Sequence, residues 1–167
     1  MFQYKLIQHS DLSQNELEEI IQVKSVVWPY QFEKQIEWIN LNLKDSDYHL
    51  LLFDEARAVA YLNLIDIELM IDNFTHKALG VGNVCSIEKW KGYGSKLMTQ
   101  VNSQIINYNL PGLLFCKQRL VSFYEKSEWR IIAKSSLELI FDNKEVETMI
   151  FNSGKPFSKL TYSGSAF

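Results

Sequence analysis

Forty residues, 48–87, constrain the fold more than any other stretch of this chain. "YHLLLF" at 48–53 and "AVAYLNLIDI" at 58–67 are strand-like runs on either side of a turn around Asp54 and Glu55, which makes them an antiparallel hairpin. After "DNFT" a third long strand runs from about His76 to Ile87. The result is a three-strand meander, with helical patterns before and after it.

Ahead of the meander, "FQYKLIQ" at 2–8 reads as a first strand, and "SQNE" at 13–16 is a capping box in which Ser13 and Glu16 satisfy each other's backbone donors. Leu17, Ile20, Ile21 and Val27 keep the helical period from there until Pro29, and Phe32, Ile36, Ile39 and Leu43 mark a second amphipathic helix. Behind the meander, Leu97, Met98, Val101 and Ile105 share one face of a helix that ends near "NYNLPG". "LLFC" at 113–116 is a short buried strand, "RLVSFYEKSEW" at 119–129 holds a short helix, and closing strands follow at about 129–141 and 146–152. The order is βααβββαβαββ over a single domain, 1–152, and the Gly, Ser and Pro content of 153–167 marks an irregular tail.

Composition excludes several classes of function. A net charge of -3 with only Arg57, Arg119 and Arg130 as arginines argues against nucleic-acid binding, which draws on clustered cations. No apolar run approaches the roughly 20 residues of a membrane span, and "MFQYKLIQHSD" lacks the regions of a signal peptide, so a cytoplasmic protein without a membrane partner is expected. Cys85 and Cys116 have no metal-ligand spacing with His9, His49 or His76, so both read as buried thiols and no metal is expected.

"SIEKWKGYGSKLM" at 86–98 joins the third meander strand to a helix through Gly92 and Gly94, flanked by Lys89, Lys91 and Lys96. Bare backbone and positive charge at a helix N-terminus suit an anion, and a plain strand-to-helix turn is the other reading. Gly80 and Gly82, two apart, leave one face of the preceding strand bare, either as a substrate floor or as a crowded packing site or bulge.

This order of elements, with the lysine- and glycine-flanked turn at its centre, resembles the GCN5-related N-acetyltransferase family over nearly the whole chain. In that family an Arg or Gln followed at fixed spacing by Gly-x-Gly or Gly-x-Ala holds the pyrophosphate of coenzyme A. Lys89, Gly92 and Gly94 are the closest match, preferred over a register on Trp90, Lys91 and Gly92. "SFYEKSEW" looks like the family's Phe-Tyr-x-x-x-Gly-Phe or -Trp pattern, with Tyr124 on its tyrosine and Glu128 in place of its glycine. Within the family the long strand pair and the tryptophan-bearing turn look most like the aminoglycoside 2'-N-acetyltransferases and the nodulation-factor acyltransferases.

The resemblance implies an α+β fold of α/β/α type, with a mixed, mostly antiparallel sheet of about seven strands split between strands 4 and 5. It implies an enzyme that moves an acetyl group from acetyl-coenzyme A to a primary amine of a small molecule by direct attack. A non-catalytic acyl-coenzyme A binding module and a protein-modifying acetyltransferase are the alternatives, and a homodimer is left open. The cofactor-binding residues would be Val84, Cys85, Ser86, Lys89, Lys91, Gly92, Tyr93, Gly94 and Ser95, with the N–H groups of Val84 to Ser86 polarising the thioester carbonyl. Tyr124 would protonate the leaving thiolate. Many relatives carry a carboxylate base on the fourth strand, where this chain has Gly82 and Asn83; Asp66, Glu68 and Glu88 are the nearby acids, and each reads more simply as surface charge. Trp28, Tyr30 and Trp38, at the junction of the first two helices, line an acceptor pocket or belong to the core.

Overall fold

A computed structural model describes residues 1–142 and 144–167. Among them run β1 (Phe2–Gln8), α1 (Gln14–Val27), α2 (Phe32–Asn42), β2 (Tyr48–Asp54), β3 (Arg57–Ile71), β4 (Phe74–Ser86), α3 (Tyr93–Asn107) and β5 (Gly112–Cys116). They are followed by α4 (Val121–Glu125), β6 (Arg130–Ile131), β7 (Leu137–Leu139), β8 (Glu147–Phe151) and β9 (Leu160–Tyr162). The strands pair in the order β1-β2-β3-β4-β5-β8-β6, and β9 pairs with both β3 and β7. Among the described residues β4 pairs with β5 and β7 with β9 in parallel, while β1–β2, β2–β3, β3–β9, β5–β8 and β6–β8 are antiparallel, so the sheet is mixed and mostly antiparallel. The β4–β5 pairing is confined to Leu79 and Gly80 opposite Gly112 and Leu113, which is the split expected between strands 4 and 5.

The chain forms two compact units, Met1–Ile65 with Gly82–Val101, and Asp66–Val81 with Asn102–Phe167. In the first, β1 lies antiparallel to β2 in unbroken register from Phe2↔Asp54 to Gln8↔Tyr48. The capping box at the head of α1 is complete: Glu16 N–H donates to Ser13 Oγ at 3.3 Å, and Ser13 N–H donates to the Glu16 carboxylate at 2.8 Å. Pro29 ends α1, because the residue before a proline is pushed out of helical conformation. Ile20, Ile21 and Val23 of α1 and Ile39 of α2 pack in one core with Tyr61 of β3 and Cys85 of β4. Trp28 and Trp38 lie partly buried against that core, whereas Tyr30 is exposed.

In the second unit Asp72 and Asn73 link β3 to β4 with φ of 46° and 70°, a two-residue turn of the left-handed kind that matches strand twist. Both strands extend further than "AVAYLNLIDI" and His76 suggest, because residues on each side of this turn join the hairpin. Three corrections to the sequence reading lie here. The strand expected at 129–141 is broken: after β6 a single 3-10 turn at Lys134–Ser136 intervenes, and β7 pairs with β9 and not with β8. The serines of "AKSS" favour turns through their own backbone hydrogen bonds. The tail expected to be irregular carries β9, whose approach is fixed by the Asp72 carboxylate accepting from the N–H groups of Ser158 and Lys159, each at 2.9 Å. These pieces raise the strand number among the described residues from about seven to nine.

Candidate functional site

Lys96 N–H closes the first turn of α3 on the Gly92 carbonyl at 3.0 Å, so Gly92 caps the helix. The N–H groups of Tyr93, Gly94 and Ser95 then have no partner within the helix, which is the condition for an anion site. Gly92 takes φ +75°, and a Cβ there would meet nothing within 4 Å, so glycine serves the left-handed backbone and leaves the space ahead of the helix open. Trp90, also left-handed at φ 67°, is almost wholly exposed.

Tyr93 fixes this end of α3 to the sheet of the first unit. It is buried, its hydroxyl donates to Asp54 Oδ2 at 3.2 Å, and its ring meets Phe2 edge-on. Its side chain is therefore structural, and only its N–H is available to a ligand. Lys96 is committed as well, its ammonium 4.4 Å from the centre of the Phe2 ring. Lys89 and Lys91 are exposed, and Lys91 shares Glu88 with Arg57, both at 4.0 Å. Exposed pairs this long contribute little to stability, so Arg57, Lys89 and Lys91 remain open to an anion. Arg57 escaped the sequence reading because it precedes the turn by some thirty residues.

On β4, Asn83 takes φ 52° inside a strand, the mark of a β-bulge. Its side-chain amide donates to Asn63 Oδ1 of β3 at 2.7 Å. Asn63 is wholly buried, and its own Nδ2 has no hydrogen-bond partner among the described residues. The sequence gave no sign of this pair, because its members lie twenty residues apart on different strands. Val84 and Ser86 are half-buried, and β4 ends where Ile87 N–H donates to the Val59 carbonyl. Cys85 turns its side chain into the core, where burial pushes its thiol up to about 12 even though Lys24 and the Tyr61 backbone pull it down. It can offer a ligand its backbone only. Glu88, Asp66 and Glu68 are all exposed.

In the second unit Tyr124 is buried in α4, its ring edge-on to Phe123. Glu128 N–H donates to the Glu125 carbonyl and Trp129 N–H to that of Tyr124, a Schellman ending with Glu128 at φ 66°. The turn is thus of the type a glycine would make, built with a glutamate. Trp129 is buried, donates to Asn102 Oδ1 at 2.8 Å and stacks on Phe151. A Cβ on Gly112 would stand 2.8 Å from that indole and 2.7 Å from Ile105, so glycine is required there for close approach.

Among the described residues no group of three or more His, Cys, Asp or Glu could hold a metal ion, and no helix is long and apolar enough to cross a membrane. Cys85 and Cys116 are both buried free thiols.

No family model matches the sequence, and no curated protein matches it. Solved structures do. Escherichia coli ElaA superposes with a TM-score of 0.65 at 19% identity, over 90% of this chain and 99% of that one. An acyl-CoA N-acyltransferase from Pseudomonas aeruginosa gives 0.64 at 17%, over 90% and 99%. The Campylobacter jejuni N-acetyltransferase PseH gives 0.59 at 16%, also over 90% and 99%. At such identities the likeness concerns the fold: the chain has the acyl-CoA N-acyltransferase fold, α+β with a mixed sheet split at β4–β5. These likenesses lend no support to the aminoglycoside 2'-N-acetyltransferase branch.

Proposed function

We propose that the chain is an N-acetyltransferase that passes the acetyl group of acetyl-coenzyme A to the primary amine of a small molecule. The observation that carries the reading is the start of α3: Gly92 in left-handed conformation, three N–H groups without helical partners, and Lys89 and Lys91 exposed beside them. A diphosphate is the ligand that such a cradle suits, and the N-acyltransferase fold agrees with a coenzyme A diphosphate. In this reading the N–H groups of Val84 to Ser86 hold the pantetheine arm and polarise the thioester carbonyl. The amine attacks directly, and Tyr124 protonates the departing thiolate.

The test is calorimetric first. A ligand that binds only the folded state at about 100 times its Kd adds roughly 2.7 kcal/mol to stability, so coenzyme A should raise the melting temperature. An unmoved transition at millimolar coenzyme A, beside a control acetyltransferase that shifts, overturns the reading. One observation favours a second reading, an acyl-coenzyme A binding module without turnover: Asn83 stands on β4 where many relatives carry a carboxylate. Acetylation assays over a panel of primary amines separate the two.

A further inference from the structure

One turn and one hydrogen bond show that β4 carries an extra residue. The two-residue turn at Asp72 and Asn73 sets Ile71 opposite Phe74, and just past the other end of β4 Ile87 N–H donates to the Val59 carbonyl at 3.0 Å. Twelve steps separate Val59 from Ile71 along β3, whereas thirteen separate Phe74 from Ile87. The surplus residue sits where Asn83 turns to φ 52°.

This bulge decides which way the following N–H groups face. Successive N–H groups point to opposite edges of a strand, so with Ile87 bonded to β3 those of Val84 and Ser86 point to the other edge. Pairing of that edge with β5 stops at Gly80. Without the bulge the register slips by one residue, and Val84 and Ser86 turn towards β3 instead. β4 ends at Ser86 and runs into the exposed stretch 88–92, which is free to absorb such a slip. The hold on the bulge therefore comes from inside the sheet.

Asn63 supplies that hold. It stands in β3 between the buried Leu62 and Leu64, and its Oδ1 accepts from Asn83 Nδ2 at 2.7 Å. The residue directly opposite on β2, His49, has both ring nitrogens engaged elsewhere, Nδ1 at 2.8 Å from the Tyr61 hydroxyl and Nε2 at 2.9 Å from His9 Nδ1. The Asn63 Nδ2 is thus left without a hydrogen bond among the described residues, which costs the water it loses on burial. A leucine would fill the position without that cost, so what asparagine contributes here is the acceptor that Asn83 uses. Asn83 is half-buried, and asparagine is one of the few side chains that enter left-handed backbone readily. Bond and backbone preference act together.

We propose that Asn63 is a positioning residue for acetyl transfer: through Asn83 it locks the bulge that turns the Val84 and Ser86 N–H groups away from β3 and towards the thioester. This rests on the acetyltransferase reading and deepens it. As the amine attacks, negative charge grows on the carbonyl oxygen, and N–H groups already aimed at it stabilise that charge without reorganising. Asn63 touches no substrate and acts only through Asn83 and the backbone.

Asn63→Leu keeps the size of the side chain and removes the acceptor. With the best amine of the panel, kcat should fall about 10–100-fold, somewhat less than the about 10²–10³ of an oxyanion donor removed outright, with KM for acetyl-coenzyme A within about threefold. Adding Asn83→Gly to Asn63→Leu should recover most of that loss, because glycine accepts φ 52° without a clamp. Infrared spectra of the complex with carbonyl-labelled acetyl-coenzyme A and no amine give a readout that lost stability alone does not move. The C=O stretch should lie below its value in water for the unsubstituted chain and return towards it in Asn63→Leu. Should Asn63→Leu fail to fold, Asn83→Ala and Asn83→Gly decide: both lack the clamped side chain and differ in tolerance of the left-handed backbone, so alanine should be about tenfold slower. A kcat for Asn63→Leu within threefold of the unsubstituted enzyme, no recovery in the double variant, or equal rates for alanine and glycine at 83 overturns the clamp and leaves acetyl transfer standing. Absence of coenzyme A binding or of turnover in the unsubstituted chain overturns the acetyltransferase reading, and the clamp with it.

Discussion

Lys24 holds its ammonium 4.3 Å from the centre of the Trp38 ring while only 2% of the residue reaches solvent. The ring offers a desolvated cation about 2 kcal/mol. Burial works the other way, pushing the amine from 10.5 down to about 8, with Cys85 opposing it, which weighs about 3 kcal/mol against the charged form. Burial wins narrowly. Replacing Lys24→Met should therefore stabilise the fold at pH 7 by about 1–2 kcal/mol in urea titrations. Between pH 8 and 10.5 the folded lysine has lost a proton that the unfolded one keeps, so stability rises with pH in that window. Cys85, raised from 9.0 to about 12, offsets that rise above pH 9 and leaves a fall above 10.5, which confines the net rise to about pH 8–9. The variant should lack that rise; a variant less stable than the unsubstituted chain would show that the ring contact outweighs burial.

Acid should weaken the fold in two stages. His49 is pushed from 6.5 to about 3, chiefly by burial, so below pH 6.5 the unfolded chain binds a proton that the folded chain refuses. One such proton lowers stability by about 1.4 kcal/mol per pH unit. Glu16 acts lower. Burial alone would raise its carboxyl, but Lys5 and both groups of Ser13 bring it from 4.5 to about 2, so its contribution is present above pH 4.5 and lost as pH falls towards 2. Urea titrations at pH 7, 5.5 and 4 should show the loss starting near 6.5. Stability flat to pH 4.5 would mean that His49 takes up its proton as readily folded as unfolded.

Glu128→Gly should stabilise the chain. A glutamate at φ 66° carries the roughly 1–2 kcal/mol of Cβ crowding that glycine avoids, and the exposed side chain makes no hydrogen bond or ion pair among the described residues. Part of the gain is returned through the greater freedom of glycine in the unfolded chain, so about 0.5–1 kcal/mol is expected in thermal unfolding. A destabilised variant would mean that the side chain is anchored.

Glu128 also shows where sequence patterns stop being informative. Its place in "SFYEKSEW" marks a turn, but the conformation it adopts is dictated by Trp129, which must enter the core and reach Asn102. Elements whose period is set locally were legible to within a few residues: the capping box of α1, the 48–87 meander and the buried face of α3. β9 was not, because three residues among glycine, serine and proline form a strand only through their partners on β3 and β7 and the grip of Asp72. In the candidate site the α3 cap was legible from Gly92 and Gly94. The Asn63–Asn83 pair and the His9–His49–Tyr61 chain were not, because each is made by side chains meeting across strands.

Gly92→Val separates conformation from ligand. A β-branched residue at φ +75° is strained by about 1–2 kcal/mol, and the new side chain meets no protein atom, so the fold should survive at a lower melting temperature. It would project from the cap of α3 into the space proposed for the diphosphate. The shift caused by coenzyme A should disappear in this variant and persist in Lys96→Met, whose ammonium is engaged with Phe2. An undiminished shift in Gly92→Val would remove the α3 cap from the binding site.

Tyr124→Phe tests the proton donor. The ring stays in its buried place beside Phe123 and only the hydroxyl is lost, so packing changes little and the cost to stability is that of a single hydrogen bond, about 1 kcal/mol. If the hydroxyl protonates the departing thiolate, turnover with a good amine should drop by about 10²–10⁴, because the tetrahedral intermediate must then expel an unprotonated thiolate. Affinity for coenzyme A should hardly move, since the donor acts on charge that develops only as the C–S bond breaks. Acetyl donors with more acidic thiols need less help, and with them the penalty should shrink. A loss under about threefold with acetyl-coenzyme A, with unchanged binding, would assign Tyr124 to packing alone and leave the thiolate to take its proton from water.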